Sequence, residues 1–246
     1  RHFWAGLDIV EDDLTRVHER VVAEAASARG AVGESLARYV GRRGKMLRPG
    51  LTIIGSWAGK VRADRPARKH IIEIASAIET LHLASLIHDD VIDKADRRRG
   101  QPSLHALYGN RQAVLMGDYF LSRCFSMISR GTKRENALRL AAATGHLVRG
   151  EISQMMETDE PRFSPRSYLR RIAGKTAMLF GLGLVAGAHE AKAKEREIAL
   201  LARAGYSMGM AFQIIDDILD FAGSESALGK PVASDLRAGI YTLPGT

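Results

Sequence analysis

Two short acidic clusters carry the most direct chemical signal in this sequence. Residues 89–93 and residues 216–220 both read D-D-x-x-D, and each follows an apolar stretch. Side chains four apart on a helix share a face, so the outer aspartates of each cluster repel one another there. A cation relieves this repulsion, and carboxylate oxygens suit hard ions such as Mg²⁺, which takes one or two carboxylates together with substrate phosphates. These clusters, the first and second aspartate rows, therefore predict a site that holds a diphosphate through divalent cations.

A simpler interpretation of an aspartate-rich segment is a solvated helix end. It accounts for a single D-D-x-x-D about as well as a metal site does, because short motifs recur by chance. It accounts poorly for two such rows in apolar surroundings. An aspartate near a helix C-terminus also opposes the helix dipole, so helix stability does not explain the placement.

Further residues extend the two rows along their predicted helices. His82 precedes Asp89 by seven residues, which is two helical turns on the same face. Gln213 stands in line with the second row, and Gly205 and Gly209 lie above it on the same helix. Glycine costs about 1 kcal/mol in a helix interior. The two glycines therefore indicate either room for a ligand or close packing against another helix, and the sequence leaves both open.

Basic side chains recur next to glycine at several points of the chain. Arginine binds phosphate oxygens through two parallel hydrogen bonds, whereas lysine acts as a point charge. Combined with the aspartate rows, these segments predict a pocket for two diphosphates, one bridged by metal and the other held by lysine and arginine. The segments are GKMLRP at 44–49, RRRG at 97–100, GKT at 174–176 and GKP at 229–231.

The rest of the chain indicates one helical domain. Its 246 residues are 46% hydrophobic and 26% charged, which excludes a disordered chain. Apolar residues recur at intervals of three and four, which predicts an all-α fold. We expect a single domain over residues 1–246 that is incomplete at its C-terminus, because Pro244 would open a further helix. Loops are expected at 156–166 and 223–238, and helices at about 14–28, 68–93, 112–128, 137–156, 168–188 and 195–221.

Charge and cysteine content narrow the environment. The formal charge of +8 and the pI of about 9.8 favour anionic ligands, whether phosphorylated small molecules, membrane surfaces or nucleic acid. Cys124 is the only cysteine, so an intramolecular disulfide is impossible. The longest nearly apolar run, at 177–188, is shorter than the roughly 18–20 residues of a membrane span. Without a secretory signal at the start, we expect a cytoplasmic location.

These residues make the chain resemble the trans-isoprenyl diphosphate synthases, the polyprenyl synthetase family, and within it the long-chain members. The similarity runs from about residue 14 to residue 244. It implies an all-α isoprenoid synthase helical bundle with a central cavity, and a homodimer. The segments that carry it are 44–49, 86–93, 98–100, 174–177 and 212–220.

The resemblance also implies roles for single residues. The catalytic set would be the six aspartates of the two rows together with Lys175. The metal ligands would be Asp89, Asp93, Asp216 and Asp220, supported by Asp90 and Asp217. Isopentenyl diphosphate would be held by Lys45, Arg48, His82 and Arg99. The allylic diphosphate would be held by Arg98, Lys175, Thr176, Gln213 and Lys230. One departure is Ile240, which replaces a lysine common in the family and which we interpret as a mark of subtype.

The implied reaction joins isopentenyl diphosphate to an allylic diphosphate, head to tail. The implied cofactor is Mg²⁺, about three ions, with Mn²⁺ as a substitute. Short-chain members tend to carry an aromatic residue four or five positions before the first row, where this chain has Ser85 and Ala84. We therefore expect a product longer than fifteen carbons, of the quinone side-chain class, with peripheral membrane association through that product. Candidates for a deeper floor of the tunnel are Leu121, Phe125 and Met127.

Other interpretations remain open at this point. A short-chain farnesyl or geranylgeranyl diphosphate synthase would share all these motifs. A terpene cyclase would usually lack the second row and the Lys45 and Arg48 site. A regulatory subunit of a heteromeric synthase would tend to lose the aspartates. A nucleic-acid binder is favoured only by charge, and because the sequence has no zinc spacing or reader motif, we expect no nucleic-acid partner.

Overall fold

The structure is a computed structural model that describes residues 3–59, 63–98, 100–157, 164–222 and 242. Apart from one two-residue hairpin, its regular elements are helices, which confirms the predicted all-α fold. The helices are α1 (Asp8–Ala26), α2 (Gly30–Gly41), α3 (Leu47–Ser56), α4 (Lys69–Ile92), α5 (Leu104–Tyr108), α6 (Asn110–Gly131), α7 (Arg134–Glu157), α8 (Pro165–Ile172), α9 (Met178–Glu190) and α10 (Glu195–Ala222). Strands β1 (Arg97–Arg98) and β2 (Gln101–Pro102) are antiparallel, and residues Ala173–Ala177 form a π-helical turn between α8 and α9.

The sequence analysis located the long helices and missed the short elements. The helix predicted over 168–188 is a continuous segment of α8, the π-helical turn and α9. Helices α2 and α3 are only 12 and 10 residues long, and their glycines and proline indicated breaks instead. Pro49 is nevertheless compatible with α3, since it stands in the first turn, where proline is tolerated. The loop expected at 223–238 lies outside the described residues.

Helix α4 runs through the interior and is buried over most of its length. On one side it contributes to a core cluster with α1, α2 and α6, and on the other to a cluster with α6, α7 and α9. Fully burying one Leu or Ile side chain stabilises a fold by about 1.5–3 kcal/mol. This packing therefore fixes the end of α4, which carries the first aspartate row.

Helices α3 and α9 approach one another backbone to backbone. A Cβ atom on Gly187 would lie 1.9 Å from the carbonyl oxygen of Thr52, and one on Gly55 would lie 2.2 Å from that of Leu184. Any larger residue would force the two helices apart. The close contact fixes α3, and with it Arg48, relative to the π-helical turn that precedes α9.

Three helical segments of the described chain are long and apolar enough to span a membrane, judged by length and composition alone: Lys69–Ile92, Pro165–Glu190 and Glu195–Ala222. The sequence analysis expected none, because it considered only uninterrupted apolar runs. The first two segments bury 72% of their most apolar window inside the fold, so their apolar character serves the core. The third, α10, buries only 17% of its window.

Candidate active site

Both aspartate rows line one cavity of about 300 Å³. Asp89 and Asp93 reach it from the end of α4, and Asp216 and Asp217 reach it from α10. The structure therefore brings the two rows to one site, while the roles of single residues stay predictions. The cavity is also lined by further residues from the sequence analysis, namely Arg48, His82, Ser85, Arg98, Lys175, Thr176 and Gln213.

Asp89 is buried and faces the ammonium group of Lys175. The distance from Lys175 Nζ to Asp89 Oδ2 is 3.7 Å, and the distance from the same nitrogen to Glu151 Oε1 is 3.0 Å. Glu151 is a buried residue of α7 that lines the cavity. Lys175 is therefore held between one carboxylate of the first row and one that the sequence analysis did not single out.

The second residue of the first row has a different partner. Asp90 is almost fully buried, and its Oδ1 atom accepts hydrogen bonds from Nε and Nη2 of Arg98, the former at 2.8 Å. Arg98 comes from β1, so this ion pair ties the hairpin to the end of α4. Asp93 follows the last residue of α4 and lines the cavity from an exposed position.

In the second row, the first residue is exposed and the second is buried. Asp216 lines the cavity from the exposed side of α10. Asp217 accepts a hydrogen bond from the Tyr168 hydroxyl at 2.7 Å and one from the Gln213 amide at 2.8 Å. Asp220 is buried and is not among the described residues that line the cavity.

The π-helical turn presents Lys175 and Thr176 to the cavity. A π turn holds one residue more than an α turn, and such turns occur frequently at functional sites. Here it lets two consecutive residues reach the site from the joint between α8 and α9. Thr176 Oγ1 donates a hydrogen bond of 2.6 Å to Gln213 Oε1, which links the turn to α10.

Arg48 and His82 also line the cavity, and they lie together. Arg48 Nη1 is 3.0 Å from His82 Nε2, and the guanidinium group lies 5.4 Å from the ring centre of Phe180. Lys45, in the segment before α3, is exposed and does not line the described part of the cavity. The Trp4 indole donates a hydrogen bond of 2.8 Å to the carbonyl oxygen of Lys45, which anchors this segment.

The carboxyl groups of the first row have altered acidity. Burial raises the pKa of Asp89 to about 6 from 3.8, and Lys175 only partly opposes this rise while Glu151 and Asp93 add to it. Partial desolvation at the cavity also raises the pKa of Asp93, although the residue keeps an exposed surface. For Lys175, burial lowers the pKa, but the carboxylates of Asp89 and Glu151 outweigh it and the net pKa is raised. Lys175 is therefore protonated at neutral pH.

The carboxylates in the cavity suit a divalent cation that shares its coordination with a substrate. Asp89, Asp93 and Asp216 offer oxygen ligands to one space. Within the described ranges, no three aspartate, glutamate, histidine or cysteine side chains lie close enough to enclose an ion by themselves. Mg²⁺ typically binds through one or two carboxylates and completes its shell with waters and substrate phosphates. The residues present fit that kind of site, and they do not fit a metal cage made of protein alone.

The two glycines of α10 serve helix packing. A Cβ atom on Gly209 would lie 2.5 Å from Ala177 Cα, and one on Gly205 would lie 2.7 Å from Gly181 Cα. These distances leave no space for a ligand between the helices. Of the two interpretations of these glycines, close packing is therefore the correct one, and it brings α10 against the π-helical turn.

The residues expected to set product length occupy different surroundings. Ser85 lines the cavity, whereas Ala84 is fully buried in the core cluster that α4 shares with α6. Phe125 is 51% exposed, which corrects the expectation that it could floor the tunnel. Met127 is buried in the second core cluster, which also contains the cavity residue Leu147. Leu121 is partly buried against both clusters.

Three residues of the sequence analysis, Arg99, Lys230 and Ile240, lie outside the described residues. Conversely, Glu151 and Tyr168 belong to the site and were missed. Both continue an apolar stripe: Glu151 follows Leu147 by four residues on α7, and Tyr168 precedes Ile172 by four on α8. An acid or a phenol on a buried stripe is the signal that could have identified them.

Comparisons with known proteins identify the family of this chain. Residues 30–246 match the sequence model of the polyprenyl synthetase family. The chain is also 41% identical, over 96% of its length and 72% of the relative's, to heptaprenyl diphosphate synthase component 2 of Geobacillus stearothermophilus. The chain belongs to the polyprenyl synthetase family. Its fold agrees with that of solved polyprenyl synthases, which adds the isoprenoid synthase architecture to the all-α class observed above.

Two solved structures of this family are similar over nearly the whole chain. Heptaprenyl diphosphate synthase from Staphylococcus aureus superposes with a TM-score of 0.90 at 31% identity, over 96% of this chain and 73% of that one. A polyprenyl synthase from Caulobacter crescentus, complexed with calcium and isoprenyl diphosphate, gives a TM-score of 0.88 at 32% identity over 97% and 73%. That synthase thus holds a divalent cation and a prenyl-type diphosphate.

Proposed function

We propose that this chain is a trans-prenyltransferase that condenses isopentenyl diphosphate with an allylic diphosphate and extends the product beyond fifteen carbons. The observation that carries the proposal is the convergence of both aspartate rows and Lys175 on one cavity. Arg48 and His82, which line the same cavity, supply the second basic group that a second diphosphate requires. Membership of the polyprenyl synthetase family and the names of its long-chain relatives support the same activity.

The residues divide the reaction between them. Asp89, Asp93 and Asp216 would hold Mg²⁺, about three ions, or Mn²⁺ in its place, against the allylic diphosphate. Bound divalent cations neutralise the diphosphate oxygens and make pyrophosphate a better leaving group. Lys175 and Arg98 add positive charge where negative charge develops as the carbon–oxygen bond breaks. Arg48 and His82 would orient isopentenyl diphosphate so that its double bond attacks the allylic carbon.

The proton balance closes without a protein base. The double bond of isopentenyl diphosphate forms the new carbon–carbon bond to the allylic cation, and the resulting cation loses a proton to form the new double bond. Departed pyrophosphate, held nearby, can accept that proton. Glu151 is unsuited to this task because its carboxylate is already engaged with Lys175 at 3.0 Å.

Product length would be set by how far the cavity continues into the core. Leu147 connects the cavity to the buried cluster that includes Leu81, Met127 and Leu140. We expect Ser85→Phe to shorten the product, because Ser85 lines the cavity. Ala84→Phe must be read together with thermal stability, since overpacking a core costs about 1–3 kcal/mol. An unchanged product distribution from Ser85→Phe would refute this route.

One assay tests the function as a whole. Purified protein is incubated with radiolabelled isopentenyl diphosphate and allylic primers of increasing length, with and without Mg²⁺, and the products are sized. Cation-dependent products above fifteen carbons support the proposal, and products that stop at fifteen identify a short-chain enzyme. Hydrocarbon or alcohol formed from the allylic diphosphate alone would identify a cyclase and overturn it.

We further propose a homodimer that associates peripherally with membranes through its product. Exposed apolar side chains on α6 and α7, including Leu115, Phe125 and Leu138, support an interface on these helices. Light scattering should give twice the chain mass, and Phe125→Glu should reduce it. Because one relative is named component 2, a dimer that is inactive alone would instead indicate that a second component is required. The cytoplasmic location stays a prediction that cell fractionation can check.

A further inference from the structure

A chain of three hydrogen bonds connects α8, α10 and the π-helical turn behind the cavity. The Tyr168 hydroxyl lies 2.7 Å from Asp217 Oδ2, Gln213 Nε2 lies 2.8 Å from Asp217 Oδ1, and Thr176 Oγ1 lies 2.6 Å from Gln213 Oε1. Tyr168 is the only one of these four residues absent from both the cavity lining and the roles that the family resemblance assigns. Its hydroxyl nevertheless starts the chain that ends at the cavity.

The chemistry of these groups fixes which atom donates and which accepts in each of the three hydrogen bonds. Each carboxylate oxygen of Asp217 accepts one hydrogen bond, Oδ2 from the Tyr168 hydroxyl and Oδ1 from the Gln213 amide. The Gln213 amide therefore turns its NH₂ group toward Asp217 and its oxygen toward Thr176. The Thr176 hydroxyl then has to donate its proton to that oxygen. The orientation of these side chains thus follows from the two hydrogen bonds that Asp217 accepts.

This orientation decides which groups face a diphosphate. Because the proton of the Thr176 hydroxyl is committed to Gln213, that hydroxyl presents lone pairs, which repel phosphate oxygens. One N–H of Gln213 donates to Asp217, and the second is the group through which Gln213 can donate to a diphosphate in the cavity that it lines. A reversed amide would present an oxygen to the anion instead.

Three of these four residues are shielded from water, so the loss of one of their hydrogen bonds is costly in free energy. Tyr168, Thr176 and Asp217 are only 1%, 4% and 5% exposed. Buried hydrogen bonds strengthen one another, and a buried acceptor that loses its donor is costly. Burial, together with the neighbouring Asp217 carboxylate, raises the pKa of Tyr168, so its hydroxyl keeps its proton. Arg171 covers the ring at 5.6 Å and holds it in place.

We propose that Tyr168 is a positioning residue that acts through Asp217 and Gln213 to set the donors offered to the allylic diphosphate and the placement of the second aspartate row. The inference rests on the proposed function for the identity of that diphosphate. Asp217 is then an anchor of the row, and Asp216, its exposed neighbour, is the member that meets the cation. The sequence analysis expected Asp217 to support the metal ligands, and under this proposal it does so by holding the row in place.

Tyr168→Phe tests the proposal, because it removes one hydroxyl and keeps the ring. We expect kcat/KM for the allylic diphosphate to fall about tenfold, which is the size of one buried hydrogen bond, while KM for isopentenyl diphosphate stays within about twofold. The matched control is Tyr119→Phe on α6, whose hydroxyl lies 2.7 Å from Ser27 Oγ, away from the cavity. The control should leave both KM values unchanged.

Direct binding of Mg²⁺ and pyrophosphate, measured by calorimetry, separates this proposal from the proposed function. If the wild-type protein does not elongate any primer, the proposed function is wrong. A roughly tenfold weaker pyrophosphate affinity in Tyr168→Phe would still support the positioning role of Tyr168. In a double-mutant cycle, adding Tyr168→Phe to Gln213→Ala should lower the pyrophosphate affinity by less than about twofold. Gln213→Ala alone already breaks the series of hydrogen bonds that links Tyr168 to the cavity. Fully additive losses, or a lower melting temperature with unchanged pyrophosphate affinity, would reduce Tyr168 to a packing residue and overturn the proposal.

Discussion

The first aspartate row ends a helix that is buried on almost every side, whereas the second lies on α10, most of which is exposed. The first two aspartates of each row have similar surroundings in the two rows. The first aspartate, Asp89 or Asp216, lines the cavity, and the second, Asp90 or Asp217, is buried against protein donors. Both rows thus combine a first aspartate that lines the cavity with a second aspartate that is bonded to protein donors, but Asp217 also lines the cavity and Asp93 adds a further cavity position to the first row.

The anchors differ in the charge of their partners. Asp90 is held by the guanidinium group of Arg98, while Asp217 is held by a neutral phenol and a neutral amide. Asp89 faces Lys175, and Asp216 is exposed. The first row is therefore neutralised in part by Arg98 and Lys175, whereas the anchor of the second row has neutral partners. Substitutions in the two rows test this difference.

Removal of either ligand carboxylate should have the largest effect. We expect Asp89→Asn and Asp216→Asn each to lower kcat/KM by roughly 10²- to 10³-fold, the usual loss for one group that stabilises developing charge. Steady-state kinetics at saturating Mg²⁺ measures this. Asp12→Asn, at an exposed position of α1, is the matched control and should change nothing. If Asp216→Asn retained activity, the ligand role would move to another residue of the second row.

The same pair of variants should differ in stability as the pH changes. Burial raises the pKa of Asp89 to about 6, so the stability that its neutral form provides is complete below pH 3.8 and is lost as the pH rises through about 6. Without divalent cations, Asp89→Asn should therefore be more stable than the wild type at pH 8, by roughly 3 kcal/mol, but not near pH 4. Asp216 is exposed, so burial does not penalise its charge, and Asp216→Asn should show no such gain at pH 8.

Denaturant unfolding at the two pH values measures these differences. Added Mg²⁺ with pyrophosphate should reverse the order of wild type and Asp89→Asn at pH 8, because only the wild type binds them fully. Equal stability of the two proteins across the pH range would show that Lys175 already compensates the charge of Asp89.

The contribution of each anchor, Asp90 or Asp217, to the stability of the fold should depend on the charge of its partners. Asp90→Ala leaves a partly buried guanidinium group without an acceptor, and we expect a loss of about 2–3 kcal/mol in the free energy of unfolding. Asp217→Ala leaves two neutral donors without an acceptor, with an expected loss of about 1–2 kcal/mol. Urea denaturation of both variants checks the ranking. The reverse order would mean that the second row is the more tightly built of the two.

A smaller effect is expected from Glu151, which belongs to neither row. Glu151→Gln removes one of the carboxylates that raise the pKa of Lys175 and weakens the 3.0 Å contact that holds its ammonium group. We expect kcat/KM for the allylic diphosphate to fall about tenfold, the cost of one charged hydrogen bond. Glu135→Gln, exposed on the same helix, is the control. An unchanged value would show that Asp89 alone positions Lys175.

The sequence was sufficient for the parts of this site that follow from regular spacing. The long helices and the shared face within each aspartate row follow from periods of three and four, and Lys175 was identified because it stands next to Gly174. Glu151 could not be distinguished from a surface acid without knowing which side of α7 faces the cavity. Tyr168 depends on α8 being rotated by the π-helical turn, and that turn has no sequence signature beyond a glycine. Ala84 and Ser85 are neighbours in the chain, yet only the packing of α4 shows which one lines the cavity.

The extra residue in the π-helical turn has a consequence for insertions and deletions. Loss of any single residue between Ala173 and Ala177 would allow the segment to rewind as α-helix, which turns everything before it by about 100° about the helix axis. The glycine contacts of α9 with α3 and α10 would survive, because they lie after the turn. Tyr168 would swing away from Asp217. Deletion of one residue here would thus leave a folded protein in which α8 is rotated relative to α9 and α10.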